Sequence, residues 1–171
     1  MLILTPSKTS DFLTLGGTLA IAHFDAQGNL IEDRFYSNIV VTAGKNWIAS
    51  RMKTTGQPTE MTHMAVGGNA TVGSNPAKTT PAVGDTALST GGSPALSELA
   101  RVALSTSGGT VSGAVVTYAA TFAAGTGTGS LVEAGIFNAA SAGTMLCKTS
   151  FDVVNKAATD SIAITWTVTI Q

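Results

Sequence analysis

Ile162-Ala163-Ile164-Thr165-Trp166-Thr167-Val168-Thr169-Ile170 decides the fold. Ile162, Ile164, Trp166, Val168 and Ile170 alternate with Ala163, Thr165, Thr167 and Thr169. A period of two puts the large side chains on one face of a strand and the small or hydroxylated ones on the other. The residues are β-branched or aromatic, and neither Gly nor Pro interrupts them. This is a strand with one buried face, and Trp166 is its largest core candidate.

The same alternation recurs upstream. In 114–122, Val116, Tyr118 and Phe122 share a face with Ala114 and Ala120, opposite Thr117 and Thr121. Segments 131–138 and 144–152 are joined by the turn-forming Ala139-Ala140-Ser141-Ala142-Gly143 and read as hairpin partners. In the second of them Met145, Cys147 and Phe151 fall on one face and Lys148 and Ser150 on the other. Asn155 to Asp160 then turns the chain into the last strand. Near the N-terminus, Thr18–Phe24 and Leu30–Tyr36 flank Asp25-Ala26-Gln27-Gly28-Asn29, a loop in which Gly28 can take positive φ. The one helical signal spans about 43–53, with Thr42 as the cap and Trp47, Ile48, Arg51 and Met52 at helical spacing. A short strand, Met61–Val66, leads into the Gly- and Pro-rich stretch 67–99, which reads as a long loop or arm. No fixed-period repeat is present. The fold class is therefore all-β, an antiparallel β-sandwich or jelly-roll-like domain over residues 1–171 with one short helix. Trp47, Tyr118, Phe122, Phe137, Phe151 and Trp166 are the expected core.

Composition narrows the function. The chain has 171 residues, 9 Lys+Arg, 10 Asp+Glu and a formal net charge of -1. Charged residues make up 11%, against roughly 25% in an average domain. With no basic excess to neutralise phosphates, nucleic acid is not an expected partner. No apolar run approaches the length of a membrane span, and Met1-Leu2-Ile3-Leu4-Thr5-Pro6 lacks the basic start and long apolar core of a secretory signal. A surface so poor in charge suits a subunit packed against neighbours.

Candidate chemistry is sparse, and no catalytic, metal or cofactor-binding residue is assigned. His23 and His63 are the only histidines and lie on separate segments. Asp25 stands two residues from His23 without a third ligand at metal-site spacing. Cys147, the only cysteine, sits on an apolar face with no activating base nearby in sequence, as a buried thiol would. Gly125-Thr126-Gly127-Thr128-Gly129 lacks the following helix and the Lys-Ser/Thr pair of a phosphate loop. Asn69-Ala70-Thr71 matches a glycosylation sequon but follows no secretory signal. The remaining candidates are charges that set register or bridge subunits. Glu98 and Arg101 are three apart and would pair on one helical turn, and either could reach Glu133 or Asp85 across the fold.

Several islands stand in a recognisable order: Asn38-Ile39-Val40-Val41-Thr42-Ala43-Gly44, Ala65-Val66-Gly67, Asp85-Thr86-Ala87-Leu88, Glu98-Leu99-Ala100-Arg101, Tyr118-Ala119-Ala120-Thr121-Phe122, Glu133-Ala134-Gly135-Ile136-Phe137, Gly143-Thr144-Met145-Leu146, Phe151 and the Trp166 strand. Over about residues 38–170 this order resembles a widespread family of small tailed-bacteriophage virion proteins, variously described as capsid decoration or cement, tail-fibre or baseplate, or structural proteins. Thr90–Pro94 is longer than the family pattern. The resemblance implies a non-enzymatic structural subunit of the virion, made in the host cytoplasm. Its partners would be itself, as a trimer, and the major capsid protein or other virion proteins. A decoration or cement protein on the outer shell is the leading expectation, and a tail-fibre, tail-tip or baseplate subunit the alternative. A carbohydrate-binding β-sandwich and a hydrolase rank below both.

Overall fold

The computed structural model describes residues 13–171, so the N-terminal Met1–Pro6 reading lies outside the described residues. Ten strands and one helix follow in the order β1 (Leu15–Phe24), β2 (Leu30–Ser37), β3 (Ile39–Val40), α1 (Thr42–Arg51), β4 (His63–Asn69), β5 (Ser97–Ala103), β6 (Thr110–Ser112), β7 (Val115–Phe122), β8 (Gly129–Phe137), β9 (Met145–Lys156) and β10 (Ser161–Ile170). They form two five-stranded antiparallel sheets, β2-β1-β10-β7-β6 and β3-β9-β8-β4-β5. The protein is an all-β sandwich.

The alternation in β10 is what builds the interior. Ile162, Ile164, Trp166 and Val168 are buried, whereas Thr165 is exposed. Trp166 lies directly between Leu19 of β1 and Tyr118 of β7. These residues meet Phe122, Leu131, Ile136, Phe151 and Val154 from the other sheet and the flanking strand in one continuous core. Tyr36 stacks on Phe151 at 5.7 Å between ring centroids. The hairpin loop before β2 closes as its sequence requires: Gly28 has φ 81, and the Asp25 carboxylate accepts from the Gln27 and Asn29 amides.

A second, smaller cluster lies elsewhere. Val41, Ala65, Leu88, Phe137 and Met145 pack on the outward side of the β3-β9-β8-β4-β5 sheet. The 70–96 connection folds back over that side, and every residue of β8 is consequently buried. Phe137 is therefore buried away from the main interior. A register shift opposite Ile136/Phe137 also corrects the facing of β9: Cys147 and Leu146 enter the main core, while Met145 joins Phe137.

Other boundaries also moved. The helix runs Thr42–Arg51, and Thr42 does not cap it. The residue before it is Val41, without a side-chain cap, and the Thr42 amide donates instead to the Val83 carbonyl at 2.7 Å. An exposed amide at the helix start is thus satisfied by the overlying loop. Trp47 is half-buried at the edge of the main core and donates from Nε1 to the Thr59 carbonyl at 2.7 Å. Gly67 and Gly68, read as loop, belong to β4, and Ser97–Leu99 belong to β5. Asn155 and Lys156 extend β9.

Candidate functional site

The outward face of β8 and β9 carries charge where a covered sheet would ordinarily be apolar. Lys148 of β9 lies across from Gly135 of β8 and Ile39 of β3. Glu133 lies two residues before Gly135, across from Gly67 of β4. Gly67 leaves room for Glu133, and Gly135 for the apolar cover beside it. A Cβ at Gly67 would stand 2.7 Å from Glu133 Oε1, and one at Gly135 would press on Leu88 and Met145, each at 3.2 Å. Glycine inside a strand commonly marks such a close approach.

The overlying loop completes the cluster. Lys148 Nζ lies 3.2 Å from Glu133 Oε2 and 3.2 Å from Asp85 Oδ2. It donates to Ser89 Oγ at 3.0 Å, and the Ala87 carbonyl lies at 3.4 Å. Glu133 is fixed from the loop side: the Ser89 amide donates to Oε1 at 2.6 Å and the Ser89 hydroxyl to Oε2 at 2.9 Å. The side chains of Glu133 and Lys148 are 0% and 3% exposed, whereas that of Asp85 is 26% exposed at the rim. Burying charge is costly unless every partner is in place. Here each charge has one, and the loop that supplies Asp85 and Ser89 also closes the site.

This arrangement corrects two expectations. Asp85 and Glu133 come together, but around Lys148, not around Glu98 or Arg101. Lys148 was read as an outward polar residue opposite the core face. Its burial became visible only with the loop in place. Glu98 and Arg101 do pair, yet on strand β5 and not on a helical turn. Arg101 donates from Nε and Nη2 to the two Glu98 oxygens at 2.9 and 2.7 Å. A register shift at Val66/Gly67 brings the pair to one side of the edge strand. The guanidinium then covers the Phe137 ring at 3.7 Å and donates to the carbonyls of Ala139 and Ala142 in the β8–β9 turn.

A third polar group closes the opposite end of the sandwich. His23 Nε2 lies 2.9 Å from Asp160 Oδ2, and His23 Nδ1 lies 3.4 Å from Glu32 Oε1. Burial pushes the Asp160 carboxyl up, but the Ala157 amide and the His23 ring outweigh it and hold the group below its ordinary value. Lys156 is fully buried and donates to the carbonyls of Asp160 and Ala123 at 2.7 and 3.1 Å. Burial pulls its pKa down, and the nearby Asp160 charge opposes that shift. His63 contacts the Thr62 hydroxyl at 2.7 Å. Among the described residues, no three His, Cys, Asp or Glu side chains are placed to hold a metal ion. Cys147 is buried, and that burial raises its thiol pKa well above the usual value. Tyr118 is pushed to about 12, mainly by burial.

The solvent-facing side of the β2-β1-β10-β7-β6 sheet is chemically uniform. Its central rows align Phe35, Ala20, Thr165 and Ala119, then Asp33, Ala22, Ala163 and Thr121. Phe35 is 72% exposed. Asp33 is the one charged side chain at the described outward positions of that sheet. Comparisons with protein-family models, with curated proteins and with solved structures each give no match.

Proposed function

We propose that this chain is a non-enzymatic structural protein of a tailed-bacteriophage virion, a decoration or cement subunit that binds the outer shell and associates with itself as a trimer. The supporting observation is the outward face of the first sheet. A solvated antiparallel face ordinarily alternates in charged and polar side chains. This one offers Ala, Thr and an exposed Phe35 around a single carboxylate. Four strands of eight to ten residues and the three-residue β6, about 4.8 Å apart at about 3.3 Å per residue, present roughly 600 Å². That approaches the roughly 800 Å² that each partner contributes to a standard interface.

The role follows by mass action. A subunit that binds the assembled shell, and not its separated parts, stabilises the shell by an amount that grows with the logarithm of its free concentration over its Kd. The buried Lys148 cluster suits the same role, because it locks a long loop to the sheet and leaves a stiff body. The order of sequence islands over 38–170 supports the phage assignment.

The test is to purify particles of the phage that encodes the chain and quantify this protein in them. Hundreds of copies per particle, with density on the capsid exterior, fit a cement subunit. A few to dozens of copies with density on the tail would replace it with the tail-subunit alternative. Particles depleted of the protein should release DNA at lower temperature, and unchanged particle stability would refute the cement role.

A further inference from the structure

We propose that Lys148 and Asp85 become joined by an amide bond between their side chains, formed by the chain itself with Glu133 as the proton carrier. The proposal stands on the geometry of the buried cluster and is independent of the phage assignment.

Three requirements for such a condensation are met on the outer face of the second sheet. The amine must be held against a carboxyl group: Lys148 Nζ is 3.2 Å from Asp85 Oδ2. A second carboxyl group must be within reach of the same nitrogen: Glu133 Oε2 is also at 3.2 Å. Water must be excluded, because it solvates the ion pair and competes in the reaction. The Lys148 and Glu133 side chains are 3% and 0% exposed.

The division of labour between the two carboxylates is legible from their surroundings. Glu133 is immobilised by the Ser89 amide and hydroxyl and sits beneath the loop, so it is a fixed relay. Asp85 reaches the nitrogen from the rim. Its backbone is set by a tight turn in which its amide donates to the Ala82 carbonyl at 3.0 Å and its Oδ2 accepts from the Ala82 amide at 3.1 Å. Its 26% exposure gives the departing water an exit. Holding the two reactants in this way replaces a bimolecular encounter, an advantage that reaches about 10⁵–10⁸ M in effective concentration for well-oriented groups.

The step balances without an outside reagent. Proton transfer from the Lys148 ammonium to the Asp85 carboxylate gives a neutral amine and a neutral acid. The amine lone pair attacks Asp85 Cγ, forming the C–N bond, while Glu133 takes a proton from the nitrogen. Glu133 returns that proton to the departing hydroxyl, the C–O bond breaks, and one water leaves. Glu133 ends as it began. The product ties the loop to β9 and converts a buried ion pair into a neutral amide.

Mass spectrometry of the intact protein under denaturing conditions tests this. The wild-type chain should be lighter than its sequence mass by one water. A protease digest should yield a branched peptide joining Asp85 to Lys148. Lys148→Arg and Asp85→Ala should each have their full sequence mass. Glu133→Gln keeps an oxygen to accept from Ser89 and should also lose the bond. A wild-type chain at full sequence mass overturns the proposal. So does a loss of water that persists in Lys148→Arg, which would mark a cyclised aspartate elsewhere. A bond formed equally well in Glu133→Gln would remove Glu133 from the chemistry.

Discussion

Arg101 is the residue whose removal should be felt furthest from its own backbone. It leaves edge strand β5, crosses β4 and fastens the β8–β9 turn. Replacing it with Met keeps the aliphatic stem and deletes the fork. Three contributions disappear. The guanidinium over Phe137, 3.7 Å away with its side chain 8% exposed, contributes about 1–2 kcal/mol as a largely desolvated cation–π contact. Each carbonyl bond, to Ala139 and to Ala142, contributes about 0.5–1.5 kcal/mol net. The pair with Glu98, whose side chain is 32% exposed, is discounted for screening to a few tenths. Arg101→Met should therefore cost about 2–5 kcal/mol, which for a domain of this size lowers Tm by roughly 4–20 °C. Arg101→Lys keeps the charge but not the planar fork, so it should recover less than half of that loss. Urea unfolding followed by far-UV circular dichroism gives the stability. Hydrogen exchange of the 138–144 amides shows whether the turn loosens first. A loss below about 0.5 kcal/mol, the range of ordinary surface substitutions, with unchanged exchange in the turn, would refute the clamp.

Trp166→Ala should destabilise the fold by about 3–5 kcal/mol, because the side chain is fully buried between Leu19 and Tyr118; thermal unfolding measures it, and a change near zero would mean that this face is not the core. Cys147 should resist a thiol reagent in the folded protein and react at once in denaturant, since it is buried and its thiolate is disfavoured; rapid labelling of the native state would contradict its placement. The Asp160 carboxyl is held below 3.8, so the unfolded chain binds more protons in the window just under that value. Its stabilising contribution is then complete above 3.8 and drains away as pH falls through the lowered pKa. Acid titration of wild-type and Asp160→Asn stability should converge at the acid end, and parallel curves would sink the assignment.

Strand identity was legible wherever one face is dry and the other wet. β10 and β7 alternate because solvent lies on one side of them, and the period of two survives intact in the sequence. β8 does not alternate, because both of its sides are covered. A strand of that kind loses its periodic signature, and Glu133 then looks like a solvent residue. The helix start failed for a related reason. Thr42 is a good cap by residue type, but the Val83 carbonyl arrives from forty residues away to take its amide. Local chemistry cannot report a partner supplied by a distant loop.

The candidate site follows the same logic, with one signal that was available. Asp85 and Glu133 were separable from the sequence as charges in a charge-poor chain, but their common partner was not. Lys148 occupies the polar phase of β9, where a solvated lysine and a buried one share the same pattern. The glycines distinguish them. Gly67 and Gly135 interrupt buried stretches of β4 and β8 at positions across from Glu133 and Lys148. Glycine costs strand stability, so Gly67 is explained by the space that a Cβ would take from Glu133, and Gly135 by the close approach of Phe137, Leu88 and Met145 over that face. Gly67→Ala tests that relation directly. The new Cβ would stand 2.7 Å from Glu133 Oε1 and 2.9 Å from its Cγ. Glu133 is pinned by Ser89 and Lys148 and has no solvent to move into, so relief requires breaking at least one of those contacts. A destabilisation of about 2 kcal/mol or more is expected, as for other overpacked interior sites. Gly16→Ala, where nothing stands within 4 Å of the added carbon, should be close to neutral in the same assay. Equal effects at the two positions would mean that the glycine in β4 is not there to house the carboxylate.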